Sequence, residues 1–458
     1  MSHFQRLVLI VLGALGLAGP ASATNVFRLE GYGAVSRAMG GTSAAHDTGS
    51  AALLANPATL GLGSGGSRLD LGIDLVTTSH LEIENAATGE TARSGHRDVA
   101  SAYYAPQAGY VRRSGALTWG VGAYAGGGLG TEYGKNSFLS RTPGGIDTGL
   151  ENSSRLLVLH IPLGMSYQVD DRLTVGGAIE AQWTGMNLGL LLGADQVASL
   201  IGRNRARGSL VPALAGIPGL EGAHFSFSRS SDVESGADAW GWGGRLGLTY
   251  RLSESTRIGA AYGFRSHMDD LEGKARLTAV SSVAGQIALP GRIRIVDFQM
   301  PSTLTVGIAH QATENLLLAA DVSHVGWKKV MKDIKVRYAA DGGGELAVEL
   351  PQNYRDVTIL SLGAAYRIDR WTLRAGASIA NQAIPDNTLF GVIPATPTRH
   401  LSAGFSYDFG RSNTLDFAYS HALRESLGNA SEPNVSSGAP IRSTHAQDNF
   451  VLSYTHRF

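Results

Sequence analysis

The chain has 458 residues, with 38 basic and 38 acidic side chains, 60 glycines and no cysteine. Its formal net charge of zero argues against a nucleic-acid partner, which calls for a basic face. The lack of cysteine excludes disulfides, thiolate metal sites and thiol nucleophiles together. Only 17% of residues are charged, glycine stands well above its usual ~7% share, and 43% are hydrophobic. That mixture is too polar for lipid-facing helices and suits a large β protein in which only alternate residues need be apolar.

The chain opens on a secretory signal peptide, residues 1–23. Arg6 supplies the charged start, Leu7 to Gly19 the apolar run, and Ala21-Ser22-Ala23 the small-residue cleavage pattern. The apolar run is shorter than the ~20 residues a spanning helix needs. No later stretch approaches that length, so residues 24–458 are expected to be exported and to enter a membrane, if at all, as a closed barrel.

Residues 24–66 show no alternation. They are rich in glycine, alanine and serine and carry the triplet Asn56-Pro57-Ala58. A flexible linker would fit that composition. Leu29, Val35, Met39, Leu53, Leu54, Leu60 and Leu62 nevertheless supply apolar side chains to pack, which favours a compact plug in the lumen.

From residue 67 onward apolar and polar-or-small residues alternate. Trp240, Trp242, Leu246, Leu248 and Tyr250 stand on one face, opposed by Gly241, Gly243, Arg245, Gly247 and Thr249. Leu401, Ala403, Phe405, Tyr407 and Phe409 likewise oppose His400, Ser402, Gly404, Ser406 and Asp408. Period two means strands whose faces meet different surroundings. A periplasmic sandwich would share the pattern. Aromatic residues at strand ends on the apolar face, such as Trp371, Tyr366 and Tyr419, favour the interfacial girdle of a transmembrane barrel. The terminal Phe458 fits recognition by a barrel-assembly machinery.

Strands are expected at 67–78, 97–112, 116–126, 155–169, 172–186, 238–252, 255–268, 292–310, 315–330, 354–369, 371–380, 400–409, 413–422 and 446–458, with a weak one at 272–283. The expected fold is thus an all-β transmembrane antiparallel barrel of about 14 strands, an even count. Tight turns such as Asp170-Asp171 and Asp369-Arg370 alternate with long connections at 187–237, 331–353, 381–399 and 423–445, which should face outward. Glu180, Arg245, Arg265, Asp321 and Arg374 fall on inward faces, where they should pair with each other or with the plug.

The connection 187–237 is too long and too apolar for a turn. Leu188, Leu190, Leu191, Leu192, Val197, Leu200 and Ile201 suggest one side of a short helix, either packed against other loops or offering an apolar landing groove. Arg203, Arg205 and Arg207 follow; they suit a carboxylate, lipopolysaccharide phosphates or a plain solvated face.

These features together resemble the FadL-type outer-membrane transporters of long-chain fatty acids and related hydrophobic compounds. The resemblance runs through Gly33-Ala34-Val35-Ser36-Arg37-Ala38-Met39-Gly40-Gly41, Asp47-Thr48 and Ala55-Asn56-Pro57-Ala58. It continues through Gly128-Leu129-Gly130-Thr131-Glu132-Tyr133, Met300-Pro301, Asp321, Trp327, Tyr354-Arg355-Asp356, Trp371 to Gly376, Ile384-Pro385 and Leu401 to Gly404. It implies a barrel plugged by an N-terminal hatch. A hydrophobic ligand would be collected among the outer loops and passed to a lumen pocket touched by the hatch N-terminus, here Thr24, Asn25, Val26 and Phe27. Release would be sideways, where the third strand, about Leu117 to Gly126, kinks inward. The hatch signature falls on Asn56, Pro57 and Ala58.

A lateral route suits a lipid-like solute, because each methylene kept out of water is worth about 0.8 kcal/mol. A gap in a barrel wall breaks ladder hydrogen bonds, and glycine permits the bulge this needs. Gly120, Gly122, Gly126, Gly127 and Gly128 crowd that strand and mark the expected opening. Leu190, Leu191, Leu192, Val197, Leu200 and Ile201 are the expected outer capture surface. Arg203, Arg205, Arg245 and Arg265 are the candidate partners of a carboxylate.

An enzyme is the rival class, yet the chain holds no Gly-x-Ser-x-Gly elbow, no His-Glu-x-x-His and no Walker motif. Gly61 to Gly66 spells a dinucleotide fingerprint but leads into a strand, so the phosphate-binding logic fails. A general porin would lack the apolar loop and the segment before the barrel. No cofactor, metal or nucleic acid is expected. The expected partners are a long-chain fatty acid or an aromatic or alkane hydrocarbon, with outer-membrane lipid and lipopolysaccharide around a monomer.

Overall fold

The computed structural model describes residues 26–63, 65–227, 235–410, 412–429 and 440–458. The expected signal peptide, Thr24 and Asn25 lie outside the described residues. The first strands are β1 (Ser67–Val76), β2 (His80–Asn85), β3 (Thr91–Arg93), β4 (Tyr103–Ser114), β5 (Leu117–Glu132), β6 (Ser153–Gln168) and β7 (Leu173–Gly193). Next come β8 (Ala206–Arg207), β9 (Leu220–Ser226), β10 (Ala237–Arg251), β11 (Thr256–Gly263), β12 (His267–Met268), β13 (Leu271–Ser281), β14 (Gly285–Val296) and β15 (Thr303–Thr313). The rest are β16 (Leu316–Val325), β17 (Asp333–Ala340), β18 (Glu345–Pro351), β19 (Val357–Ile368), β20 (Trp371–Ala380), β21 (Arg399–Asp408), β22 (Asn413–Gly428) and β23 (Ile441–Arg457). Short helices α1 (Gly33–Ala38), α2 (Ala194–Gly202) and α3 (Leu210–Ala215) accompany them.

Antiparallel ladders close the sheet on itself, with β1 pairing both β4 and β23. At the seam Ser67 and Phe458 exchange backbone hydrogen bonds of 2.9 and 3.0 Å. The closed circuit counts sixteen strands, with further strands outside it. That is more than the about 14 expected, because β9 pairs with the far end of β7 and β13 joins β9 to β10 at Ala237 and Asp238, adding two strands beside the direct β7–β10 ladder.

The alternation maps onto two environments. On β10, Trp240 and Trp242 are 52% and 65% exposed on the outer surface, while Arg245 and Thr249 are buried on the inner one. Leu163, Met165 and Tyr167 on β6 face outward in the same way, and Ser166 inward. An apolar band of this extent on the outside is what a lipid-embedded barrel presents.

Local departures from expectation have local causes. The segment 292–310 is not one strand, because Asp297 adopts a left-handed φ of 54° and Pro301 has no N–H for a ladder. The weak strand expected at 272–283 is one arm of the β13–β14 hairpin. Residues 97–112 become strand only from Tyr103, after a 3-10 turn that Asp98 caps.

Residues 26–63 touch strands on every side of the circuit and so occupy its interior. The Arg37 guanidinium pairs with Glu30 at 2.8 Å and with Asp74 of β1 at 2.5 Å. Asn449 of β23 donates to Glu30 at 3.0 Å, and Gly40 N–H donates to Ser402 of β21 at 3.0 Å. Across the lumen, Asp321 of β16 accepts the N–H groups of Ser43 and Ala44 at 2.7 and 2.9 Å. Asn56 donates to the carbonyls of Ala44 (2.7 Å) and of Leu248 on β10 (3.1 Å), and its side-chain oxygen caps the turn by accepting from Ala58 N–H at 3.1 Å. Burial alone would raise the Glu30 carboxyl, but Arg37 and His400 hold it below the usual carboxylate range.

Removing one partner of a buried ion pair strands the other, at a typical cost of about 3–5 kcal/mol. Arg37→Leu is therefore expected to loosen the interior segment while the wall ladders persist. Limited proteolysis should then cut within residues 26–63 faster than in the parent protein, with an unchanged β circular dichroism signal. Equal proteolysis rates would show that this network does not hold the segment.

Candidate ligand-binding site

β7 runs on past the wall, so Leu188 to Leu192 form strand instead of the expected helix; only Val197, Leu200 and Ile201 lie on helix α2. The run is apolar enough for either state, and its pairing with β6 and β9 decides for strand. Strand alternation then sorts the leucines. Leu188, Leu190 and Leu192 line an apolar cavity. Leu191 is buried on the other face, its N–H donating to Asn152 at 3.1 Å. Val197, Leu200, Ile201, Val211 and Leu214 of α2 and α3 cover the cavity, and Leu277, Ile293, Val336, Leu346, Val348 and Leu350 of β13, β14, β17 and β18 form its floor. Every lining side chain is apolar.

A second cavity shares Leu188, Leu190, Phe227, Val336 and Leu350 with the first. It reaches Phe27, with Met186, Phe298 and Phe390 around it and Ser154, Arg155 and Asn187 as its polar edge. The Phe27 ring stands edge-on to Trp327, with centroids 5.4 Å apart, and lies 6.3 Å from Tyr354. An apolar route thus leads from the outer loops to the first described residues of the interior segment.

The same residues meet the wall at its weakest place. The β4–β5 ladder ends at the pair Ala108 and Ala123, although β5 continues to Glu132. The β5–β6 ladder shifts register between Ala125 and Gly127. Past that bulge, Gly128 N–H donates to Phe27 O at 2.8 Å, and Arg28 bridges Gly127. Higher up, Gly95 N–H donates to Glu132 O at 2.9 Å. Polar groups freed from β4 are thus taken up by the interior segment and by the 94–95 strap. Only glycine fits here: a Cβ on Gly127 would strike the Phe27 carbonyl, and one on Gly126 the His160 ring. Gly120 and Gly122, also expected in the opening, lie instead in the intact part of the ladder, opposite Val111 and Gly109.

The candidate arginines do not converge on these cavities. Arg245 pairs with Glu180 at 3.4 Å and donates to the Leu54 carbonyl. Arg205 pairs with Asp333 at 2.7 Å. Arg203 is exposed at the end of α2. Arg265 is exposed as well, beyond the end of β11. Among the other inward charges, Arg374 lies 3.9 Å from Asp416. Of the surroundings of Phe27, Trp327 and Tyr354 entered the sequence reading only through the family resemblance, and Phe298 and Phe390 not at all. Phe298, Phe390 and Tyr354 sit outside the strands, where no alternation marks them.

The family model described as "Outer membrane protein transport protein (OMPP1/FadL/TodX)" matches residues 17–458. The chain belongs to this family, and it is an outer-membrane protein of the Gram-negative type. The crystal structure of the P. putida toluene transporter TodX is 43% identical, over 94% of this chain and 99% of that one, with a TM-score of 0.84. The Ralstonia pickettii toluene transporter TbuX is 44% identical over 94% and 99% of the two chains, with a TM-score of 0.79. The long-chain fatty acid transport protein of Escherichia coli O6:H1 is 23% identical over 87% of this chain and 85% of that protein.

If the bridge to β5 holds the interior segment in place, Gly127→Val should expose residues 26–28 without unfolding the wall. Because the protein has no native cysteine, a Val26→Cys probe reports this directly. Its maleimide labelling is expected to speed up about tenfold, the equivalent of about 1.4 kcal/mol of local opening. An unchanged rate would mean that the contact is dispensable.

Proposed function

We propose that this family member takes up small hydrophobic molecules across the outer membrane, with monoaromatic hydrocarbons as its preferred class. The observation that carries this reading is the outer cavity lined by apolar side chains throughout. A hydrocarbon needs no polar partner, whereas a carboxylate buried there would be left unpaired at high cost. The toluene transporters among its relatives support the same choice.

In this reading the ligand lands among Leu190, Leu192, Val197, Leu200 and Ile201 and moves over the shared leucines toward Phe27. It leaves sideways between β4 and β5, beside Gly126, Gly127 and Gly128. Residues 24–66 act as the hatch, with Asn56, Pro57 and Ala58 fixing its body to the wall and Thr24 to Phe27 as its moving part. The lipid-embedded ring consists of fourteen strands, with β9 and β13 read as an outgrowth above the direct β7–β10 ladder. The chain acts as a monomer, and Phe458 serves recognition during assembly. Long-chain fatty acids are the second reading, favoured by Ser154, Arg155 and Asn187 at the edge of the inner cavity, where a carboxylate would find donors.

Deleting residues 24–28 is expected to abolish uptake of radiolabelled toluene while leaving a heat-modifiable barrel. Normal uptake would remove the hatch N-terminus from the mechanism. Val197→Trp should fill the outer cavity and lower uptake several-fold. Excess oleate should compete weakly against toluene in the parent protein; strong competition would favour the fatty-acid reading.

A further inference from the structure

The strands that floor the outer cavity have a second face. β13, β14, β17 and β18 turn Leu277, Ile293, Val336 and Leu346 to the cavity, so the alternating residues point outward. That outward face continues the lipid-facing surface of the wall. Glu272 of β13 lies directly opposite Asp238 of β10, two residues beyond the exposed Trp240. At about 3.4 Å per residue, Lys274 stands about 14 Å along the sheet past that tryptophan.

Just there the surface changes from aromatic to basic. One row across the strands reads Glu272, Arg294, Arg337, Ala347 and Arg207. The row above it sets Lys274 against Arg292, and the row below sets Lys335 against Glu349. Arg294 is paired by Glu272 at 2.5 Å and Arg207 by Glu349 at 2.9 Å. Lys274, Arg292, Lys335 and Arg337 are exposed and make no ion pair among the described residues. Like charges directly opposite in a sheet are destabilising. This face keeps two such pairs side by side, Lys274 with Arg292 and Arg294 with Arg337. An excess of cations facing outward, past the exposed tryptophans of β10, complements phosphate groups at the membrane surface.

We propose that this face binds the phosphorylated glycolipid of the outer leaflet, with Lys274, Arg292, Lys335 and Arg337 holding its phosphates. The bound lipid braces the sheet whose other side floors the hydrocarbon cavity. The assignment stands on the outer-membrane location and is independent of which hydrophobic molecule is carried.

The test uses the full mature protein in detergent, titrated with bisphosphoryl lipid A, its dephosphorylated form and phosphatidylglycerol, with binding read by native mass spectrometry. The parent protein is expected to prefer bisphosphoryl lipid A by about tenfold or more, a few exposed charge pairs acting together. The combined variant Lys274→Gln, Arg292→Gln, Lys335→Gln and Arg337→Gln should lose that preference. The double variant Lys274→Gln with Arg337→Gln, which alters the surface least, should unfold at higher temperature in lipid-free detergent and gain less from added lipid A. Undiminished lipid A preference in the variants overturns the proposal. So does equal binding of the dephosphorylated form, or of phosphatidylglycerol, by the parent protein.

Discussion

In a lipid-embedded wall, every backbone N–H and C=O must find a partner inside the protein, because the surroundings offer none. Closure of the sheet through Ser67 and Phe458 meets that demand at the seam. The end of the β4–β5 ladder at Ala123 breaks it again on one side of β5. What lies along the freed edge is therefore the central feature of the molecule. The Tyr32 hydroxyl reaches Gly126 O at 3.3 Å, Phe27 O receives Gly128 N–H, and Ser94 and Gly95 bond both backbone groups of Glu132. A wall sealed by a separate segment can be unsealed by moving that segment. A wall sealed by its own ladder can open only by unzipping.

Position ties this seal to the inner cavity. Phe27 contributes its carbonyl to the β5 edge and its ring to the inner cavity. A molecule competing for space beside Trp327 and Tyr354 acts on the same residue that closes the wall. Coupling of this kind needs no long-range relay; it needs one residue with two faces and a conformational alternative for it. The body of the segment offers no such alternative. Arg37, Asp321 and Asn56 pin it to β1, β16 and β10, on different sides of the lumen.

The barrel was legible in the sequence because period-two alternation is a direct image of a two-sided wall. Trp240 and Arg245 are five residues apart and fall on opposite faces as counted. The segment before the first strand stood apart in the sequence, since its leucines had no strand pattern to serve. What misled was the apolar run Leu188 to Leu192, in which both faces of the strand are buried, so alternation vanishes and helix and strand look alike. The bonds of Phe27 to β5 and its packing on Trp327 join residues about a hundred to three hundred positions apart, and no local pattern encodes such a meeting.

The β13, β14, β17 and β18 sheet gives the same period a different meaning. Within the membrane the outward residues are apolar and the inward ones polar; above it the assignment is reversed, with Val336 and Tyr338 inward and Lys335 and Arg337 outward. The chain thus inverts its sidedness where it leaves the lipid, and the apolar interior it gains there becomes the cavity. Hydrophobic burial drives this outer core as it would in a soluble protein. In the membrane-spanning part, polar pairing of the lumen with the interior segment takes that role. The two apolar cavities lie in the first kind of interior, among the loops, and end at Phe27, where the second kind begins.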